Sequence, residues 1–484
     1  MEASSSGSKI KRVLVPNPRK RFRRNSLETN NNDESNNSTV YLPNEIVDRI
    51  FTFLPIEYAI TSSSLVAKPY RYSWLYSRDL CFDKDFRRRC RARQWSEASV
   101  VNYILLRHLG DKISSFKLNV SPIPYAAYFE NWFKMVASKG VEEFQVELIQ
   151  PYQYCQIKSD IFTEPTLRVL KLVRCELFLS QKLSGLQFLK SLSLSMIPVP
   201  PFFTKKLLSS CLLLESLALE GCSLIGEINI EGLNRFSALV LRHCIDLILV
   251  TINTPSISTL HYSGKINKIK FVDPMVIRLK DVILDFGATK GLQHIAHRDD
   301  LMEVLRDVET LSITNAVLEG LSPRFVDFEY RDVEFYFQNL KELQLVRRGL
   351  SFVNPWDILC FVKNCPNIER LFIDFGLYAM EVGSYWNLVA KEKFEKCQTE
   401  FPQLKLLKVK RFKKLELEEK LVKYFLLHAT SLESLILLEA KNYRHEIKLS
   451  DIIYYKTVSN LAIVSTYSAY QDQSRVFPKH RVLQ

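Results

Sequence analysis

One short phrase recurs through most of this 484-residue chain and limits what it can fold into. An apolar residue is followed by another three positions later and by a third two positions after that, as in Leu167/Leu170/Leu172, Leu189/Leu192/Leu194 and Leu214/Leu217/Leu219. The middle residues of fourteen such copies are Phe116, Phe144, Leu170, Leu192, Leu217, Leu239, Leu260, Val282, Leu311, Leu343, Leu371, Leu407, Leu435 and Leu461. Neighbouring copies stand 21 residues apart at the closest (Leu239 to Leu260) and 36 at the widest (Leu371 to Leu407). The final step of two puts alternate side chains on one face of a strand. A single such strand cannot cover that face; stacked copies can, and the result is a solenoid.

The return segments between copies, such as residues 202–211 and 356–365, read as short helices on the outer side. Cys175, Cys222 and Cys244 each follow the last strand leucine by three residues, where a side chain can satisfy backbone groups as the coil turns. The pattern predicts an α/β fold, a leucine-rich-repeat horseshoe over residues 113–484. Fourteen glycines and ten cysteines are too few for a Gly-rich or disulfide-stapled architecture. No apolar run reaches the roughly 18 residues that cross a bilayer, and the start carries no apolar signal segment. A reducing, nuclear or cytoplasmic setting is the expectation.

Ahead of the repeats, Lys9, Lys11, Arg12, Arg19, Lys20, Arg21, Arg23 and Arg24 stand without an acid between them. They concentrate part of the +13 net charge. With the Asn-rich stretch 25–39, this is expected to be a disordered basic tail and linker, its cluster available to nuclear import, to nonspecific nucleic-acid contact, or left solvated. From residue 40 the composition turns apolar. Pro43 suits a first helical turn, Ile46, Val47, Ile50, Phe51, Phe53 and Leu54 form a helical stripe, and Pro55 ends it. Ile56, Ile60 and Leu65 suggest a second helix, and Pro69 a third carrying Tyr70, Tyr72 and Trp74. Three short helices cannot bury that much apolar surface alone, so a partner or the next domain must cover it.

Leu42-Pro43-x-Glu45-Ile46, then Ile50, Phe53-Leu54-Pro55, then Val66-x-Lys68 and Trp74, resemble the F-box of plant F-box proteins over residues 40–86. The resemblance implies a three-helix domain docking on the Skp adaptor of a cullin–RING ubiquitin ligase, with Leu42, Pro43, Glu45, Ile46, Ile50, Phe53, Leu54, Pro55 and Trp74 as adaptor contacts. Residues 87–112 form a basic helical junction, and the run 84–93 reads as a solvated charged surface rather than a nucleic-acid site, since stacking aromatics are few. Near the other end, residues 339–345, 364–373 and 421–437 resemble the FBD-type region of plant F-box/leucine-rich-repeat proteins, here spanning about 335–440.

Chemistry is sparse. The chain holds no phosphate loop, nucleophile elbow or zincin helix. His294 and His297 beside Asp299 and Asp300 are a weak metal motif, and Cys360 and Cys365 read as buried repeat cysteines, so neither metal nor cofactor is expected. The useful surface is the concave face, where the residues one before, one after and three after each anchor point away from the core. Small polar groups (Ser191, Ser193, Ser195, Ser216, Ala218, Thr259, Ser263, Thr310, Ser312, Thr314) give way to Arg242, His261, Arg370, Phe372, Asp374, Lys408 and Lys410, the candidate target-binding set. The insertion 376–402 could overhang this face. The resulting expectation is a non-catalytic substrate receptor of an SCF-type ligase. The alternatives are a small-molecule co-receptor using Arg242, His261 and Arg370, and an adaptor-independent nuclear scaffold.

Overall fold

The computed structural model describes residues 43, 46, 49–50, 53–60, 68–121, 126–149, 155–181, 183–264, 269–287, 298–321, 336–380, 382–440, 463–467 and 472–481. The chain divides into residues 1–46, of which only Pro43 and Ile46 are described, and residues 47–484. The basic tail and the His294/His297 motif lie outside the described residues.

The second unit is built on one open sheet of fifteen parallel strands in chain order. They are β1 (Asp79–Phe82), β2 (Ser115–Val120), β3 (Glu143–Leu148), β4 (Val169–Val173), β5 (Ser191–Ser195), β6 (Ser216–Glu220), β7 (Ala238–Arg242) and β8 (Thr259–Ser263). After these come β9 (Asp281–Asp285), β10 (Thr310–Thr314), β11 (Glu342–Val346), β12 (Arg370–Asp374), β13 (Leu406–Phe412), β14 (Ser434–Glu439) and β15 (Ile463–Tyr467). The pairing runs through the predicted anchors without slippage. Phe116 faces Phe144, which faces Leu170, then Leu192 and Leu217. The row continues through Leu239, Leu260, Val282 and Leu311, and ends through Leu343, Leu371, Leu407 and Leu435. A one-residue slip would turn every leucine to solvent, so burial of the row holds the register.

Two rungs differ from expectation. Leu435 pairs with Val464, so the final anchor lies three residues beyond Leu461, itself outside the described residues. Apolar residues at 458, 461, 463 and 464 offer more than one phase there. At the other end, Leu80 pairs with Phe116, so the solenoid begins inside the segment assigned to the opening helices and ahead of residue 113. Four residues with only Leu80 and Phe82 buried are too short to show the repeat phrase.

Four consecutive coils turn the same way. Arg174, Met196, Gly221 and His243, all four residues past their anchors, have φ between 55° and 60° apart from His243 at 54°. Three of these carry side chains in a region that favours glycine, so the turn is held by the stack rather than by composition. The cysteines that follow supply part of the hold: Cys222 Sγ donates to the Leu194 carbonyl (3.3 Å) and Cys244 Sγ to that of Leu219 (3.5 Å), each one coil back. Burial pushes the Cys244 and Cys211 thiols up to about 12 and Cys90 to about 11. Cys397 is half-buried; its burial pushes the thiol up, but hydrogen bonds with Thr399 and Tyr424 outweigh that and leave it lowered. Native alkylation at pH 8 followed by mass spectrometry is therefore expected to label Cys397 well before Cys90, Cys211 and Cys244.

The outer side is helical where spacing permits. Helices occupy Pro201–Ser210 and Pro355–Val362, as expected from the sequence, and Glu416–His428. Asn354 starts the second with a capping box, accepting from Trp356 N (2.9 Å) and Asp357 N (3.1 Å) while Asp357 accepts from the Asn354 amide. Between Leu217 and Val282 the anchors are only 21 or 22 residues apart. There the returns are strands instead (Gly226–Glu231, Leu247–Asn253, Ile269–Phe271) forming a second small sheet. A strand covers the same length with about half the residues of a helix, and Ile228, Ile230, Val250 and Ile252 alternate inward as a strand requires. The helical part of the 376–402 insertion, Trp386–Lys396, does not overhang the concave face. It packs on the return helices, with Phe394 against Trp386 (6.0 Å) and Tyr424 (5.3 Å).

Candidate functional site

Two surfaces follow from this architecture. The first is the short helical segment at the start of the second unit. Pro55 breaks the chain direction and opens a helix over residues 56–60, its carbonyl accepting from the amides of Tyr58 (2.8 Å) and Ala59 (3.1 Å). Ile56, Glu57 and Ala59 face inward and are buried. Glu57 forms an ion pair with Arg89 of the helix Lys84–Ala92, and Tyr58 lies under Arg93, whose guanidinium also covers Trp95. With that face committed, the preceding residues point away: Ile50 is 45% exposed, Phe53 78% and Leu54 44%. Ile46, in the first unit, is itself 47% exposed, and its amide closes a turn on the Pro43 carbonyl (3.0 Å). Pro43 is exposed and Pro55 half-buried; Leu42 and Glu45 lie outside the described residues. Trp74 is a correction. It is 5% exposed in the 3-10 helix Lys68–Tyr76 and stacks on Tyr103 (5.9 Å, 20°), so its ring belongs to the chain's own core and is withdrawn from the adaptor contacts.

The basic run that follows is largely spent internally. Phe86 and Cys90 are buried, Asp83 caps the helix by accepting from Phe86 N (2.8 Å), and Arg88 and Arg91 pair with Asp85 (3.0 Å) and Glu97 (3.5 Å). Paired guanidiniums anchored by a buried stripe make a structural junction.

The second surface is the concave face, and its two halves differ. Along β5, β6, β7 and β8 the side chains alternate between buried and half-buried, as an open face does. At its N-terminal end a cavity of about 420 Å³ is lined by Lys84, Lys117, Asn119, Gln145, Glu147 and Lys171. From β9 to β13 the outward residues are mostly buried as well, Thr310, Ser312 and Thr314 among them. What covers part of that half is the chain's own C-terminal segment, residues 472–481. Lys408, fully buried, gives its ammonium to Asp472 (2.6 Å), Ser474 (2.8 Å) and the Val476 carbonyl (2.5 Å). Arg370 holds Glu342 (2.6 Å) and the Phe477 carbonyl (2.9 Å). Glu342 in turn accepts from the Lys479 amide (2.5 Å), and Ser312 meets His480 Nδ1 (2.8 Å). Asp281 receives His480, His261 (3.2 Å) and the Lys479 ammonium (2.5 Å). Val476 packs on the cluster of Phe372, Leu406 and Ile436.

These contacts reassign several predicted target residues. Phe372 and Lys408 lie beneath the tail, and Asp374 is buried, tied to Arg411 and to the Gly376 amide (3.0 Å). None of the three offers a free side chain here. Lys410 is half-buried, which lowers its ammonium pKa. Arg242 sits 3.8 Å from Glu220, His261 against Asp281 and Arg370 against Glu342, so all three basic groups named for a small-molecule pocket already face a carboxylate. His261, Asp281 and His480 do bring ligand-capable atoms within 4.8 Å of one another. With Lys479 already on the second Asp281 oxygen, the group works as an ionic clamp. Burial alone would raise the Asp281 pKa; hydrogen bonds from His261, His480 and Lys479 hold it far below the usual carboxylate range.

The tail itself was missed in the sequence because it carries no repeat phrase. A signal for it existed. Ile283, Phe372, Leu406 and Ile436 stand at outward positions next to their anchors, and apolar residues there imply a covered face.

Among the described residues, no helix is long and apolar enough to cross a membrane. Residues 104–467 match the family model described as At1g61320/AtMIF1, LRR domain. The putative FBD-associated F-box protein At1g61330 of Arabidopsis thaliana is 26% identical over 87% of this chain and 95% of its own length. FBD-associated F-box protein At1g61320 from the same plant is 26% identical over 92% and 97%, and the putative F-box/LRR-repeat protein At3g42770 is 25% identical over 81% and 72%. A parallel ladder paired in register through its anchors, matched over most of its length, places the chain in the plant F-box/LRR family, with a leucine-rich-repeat domain of the At1g61320/AtMIF1 type.

Proposed function

We propose that this chain is the substrate-recognition subunit of an SCF-type cullin–RING ubiquitin ligase. It holds a Skp-type adaptor through its opening helices and a target protein through its concave face. The observation that carries the reading is the exposure of Ile50, Phe53 and Leu54 directly before a helix whose other face is locked to the solenoid. Three large apolar side chains in five residues, left open while Ile56, Glu57 and Ala59 just after them are buried, are suited to a partner helix. Relatives carrying F-box in their names support the same assignment. The chain contributes no chemistry of its own. It raises the local concentration of target lysines at the ubiquitin-loaded enzyme by holding both on one body. Co-expression with a Skp-type adaptor followed by gel filtration is expected to give a 1:1 complex; separate elution at micromolar concentration would overturn the assignment.

The small-molecule alternative has less support, since Arg242, His261 and Arg370 each already face a carboxylate of the chain. The folded body of the target is expected to rest on the open half of the face, β5 to β8, where Ser193, Ala218 and Val240 are small enough to admit bulky side chains.

A further inference from the structure

The tail contacts have a repeating logic. Lys408, Arg370, Glu342, Ser312, Asp281 and His261 lie on six successive strands, β13 back to β8, and meet residues 472 to 480 in that order. Six strands at about 4.8 Å separation span about 24 Å. The segment opens in a turn, with Arg475 at φ 53° and Asp472, Ser474 and the Val476 carbonyl gathered on the one Lys408 ammonium, and residues 476–480 then run across the strands toward β8, where His480 meets Ser312, Asp281 and His261.

Much of the grip falls on the peptide backbone. Lys408 and Arg370 take the Val476 and Phe477 carbonyls, and Glu342 takes the Lys479 amide. Any extended segment presents the same groups. Side chains are read by Lys408 on the Asp472 carboxylate, the Ser474 hydroxyl and the Phe477 ring, and by Asp281 on the Lys479 ammonium and the His480 imidazole. Between them Val476 enters the apolar patch of Phe372, Leu406 and Ile436.

We propose that the cleft across β8 to β13 is a peptide-binding groove, held in this structure by the chain's own residues 472–481 and taken during target capture by a segment of another protein with the same order of groups: a carboxylate, a small apolar side chain, then a cation about seven residues after the carboxylate. This deepens the receptor reading and rests on it for the identity of the second occupant. The tether keeps the tail at high effective concentration, so a target must out-compete it and only a well-matched segment does so.

The test uses the chain ended after Gln471 and a fluorescent synthetic peptide of residues 470–484. The truncated chain is expected to bind that peptide at least about tenfold more tightly than the full chain does, because the tethered copy no longer competes. A peptide carrying Asp472→Lys and Lys479→Glu should bind at least about tenfold more weakly than the native peptide. A truncated chain that keeps its circular dichroism but ignores the peptide, or binds both peptides equally, overturns the proposal. Should the truncated chain fail to fold, full-length Asp472→Lys serves in its place. Its loosened tail is expected to admit the native peptide several-fold better than wild type does, and unchanged affinity would overturn the groove. No adaptor enters this assay, so its failure leaves the docking helices untouched and theirs leaves the groove untouched.

Discussion

Aspartate at both Ile50 and Phe53 is expected to abolish adaptor binding, weakening it by about three orders of magnitude, while the thermal melt stays within a degree or two (about 0.5 kcal/mol) of wild type. Each side chain is a candidate hot spot worth about 2 kcal/mol or more, and a charge there must be desolvated against the partner. Folding should tolerate the change because neither side chain is buried in the chain itself: Phe53 is 78% exposed. Trp74→Ala supplies the contrast. Its ring is 5% exposed and stacked on Tyr103, so its loss should cost about 3–5 kcal/mol of stability and leave the affinity of the folded fraction for adaptor unchanged. Isothermal titration paired with a denaturant melt separates the two effects. Equal loss of binding in both variants at equal stability would mean that the adaptor contacts are wrongly assigned.

Phe144→Ala is expected to cost about 3–5 kcal/mol in a urea melt, with the unfolding midpoint falling accordingly. Phe144 is fully buried at an aromatic junction, its ring 5.4 Å from Phe116, 5.4 Å from Phe133 and 5.3 Å from Phe162. It thus joins its own strand to the coil before it, the helix Ala126–Ala137 and the coil after it. In a solenoid each coil is stabilised chiefly by its neighbours, so a cavity at such a junction weakens two interfaces together. Ser193→Ala, on the half-buried open face of β5, should stay within about 0.5 kcal/mol of wild type. Similar costs for the two changes would contradict the division into a buried anchor row and an open concave face.

The anchor row was readable because leucines three and two apart leave one register once the strands stack, and thirteen of the fourteen expected anchors fall on it. Rungs with little room for the phrase were not readable. β1 has four residues, and around β15 apolar residues crowd into more than one phase. At the opening segment the break at Pro55 was legible, yet the split between Ile56 and Ala59 facing in and Phe53 facing out depends on Arg89 reaching Glu57 from 32 residues away. The concave face was the least legible part. Lys408 and Asp472 are 64 residues apart and His480 and Asp281 199 apart, and periodicity holds no information about such pairs. Charges that look available in the sequence were already matched, and a face that alternates like open surface through β8 is covered beyond it.

Receptor function depends most on the apolar segment before Pro55 engaging a separate polypeptide. Hydrogen–deuterium exchange of the full chain, measured with and without a saturating Skp-type adaptor, tests this most directly. New protection confined to peptides spanning residues 43–60, with the repeat strands unchanged, is the predicted result. Protection absent from that segment while the adaptor is bound, or no binding at all, would contradict it.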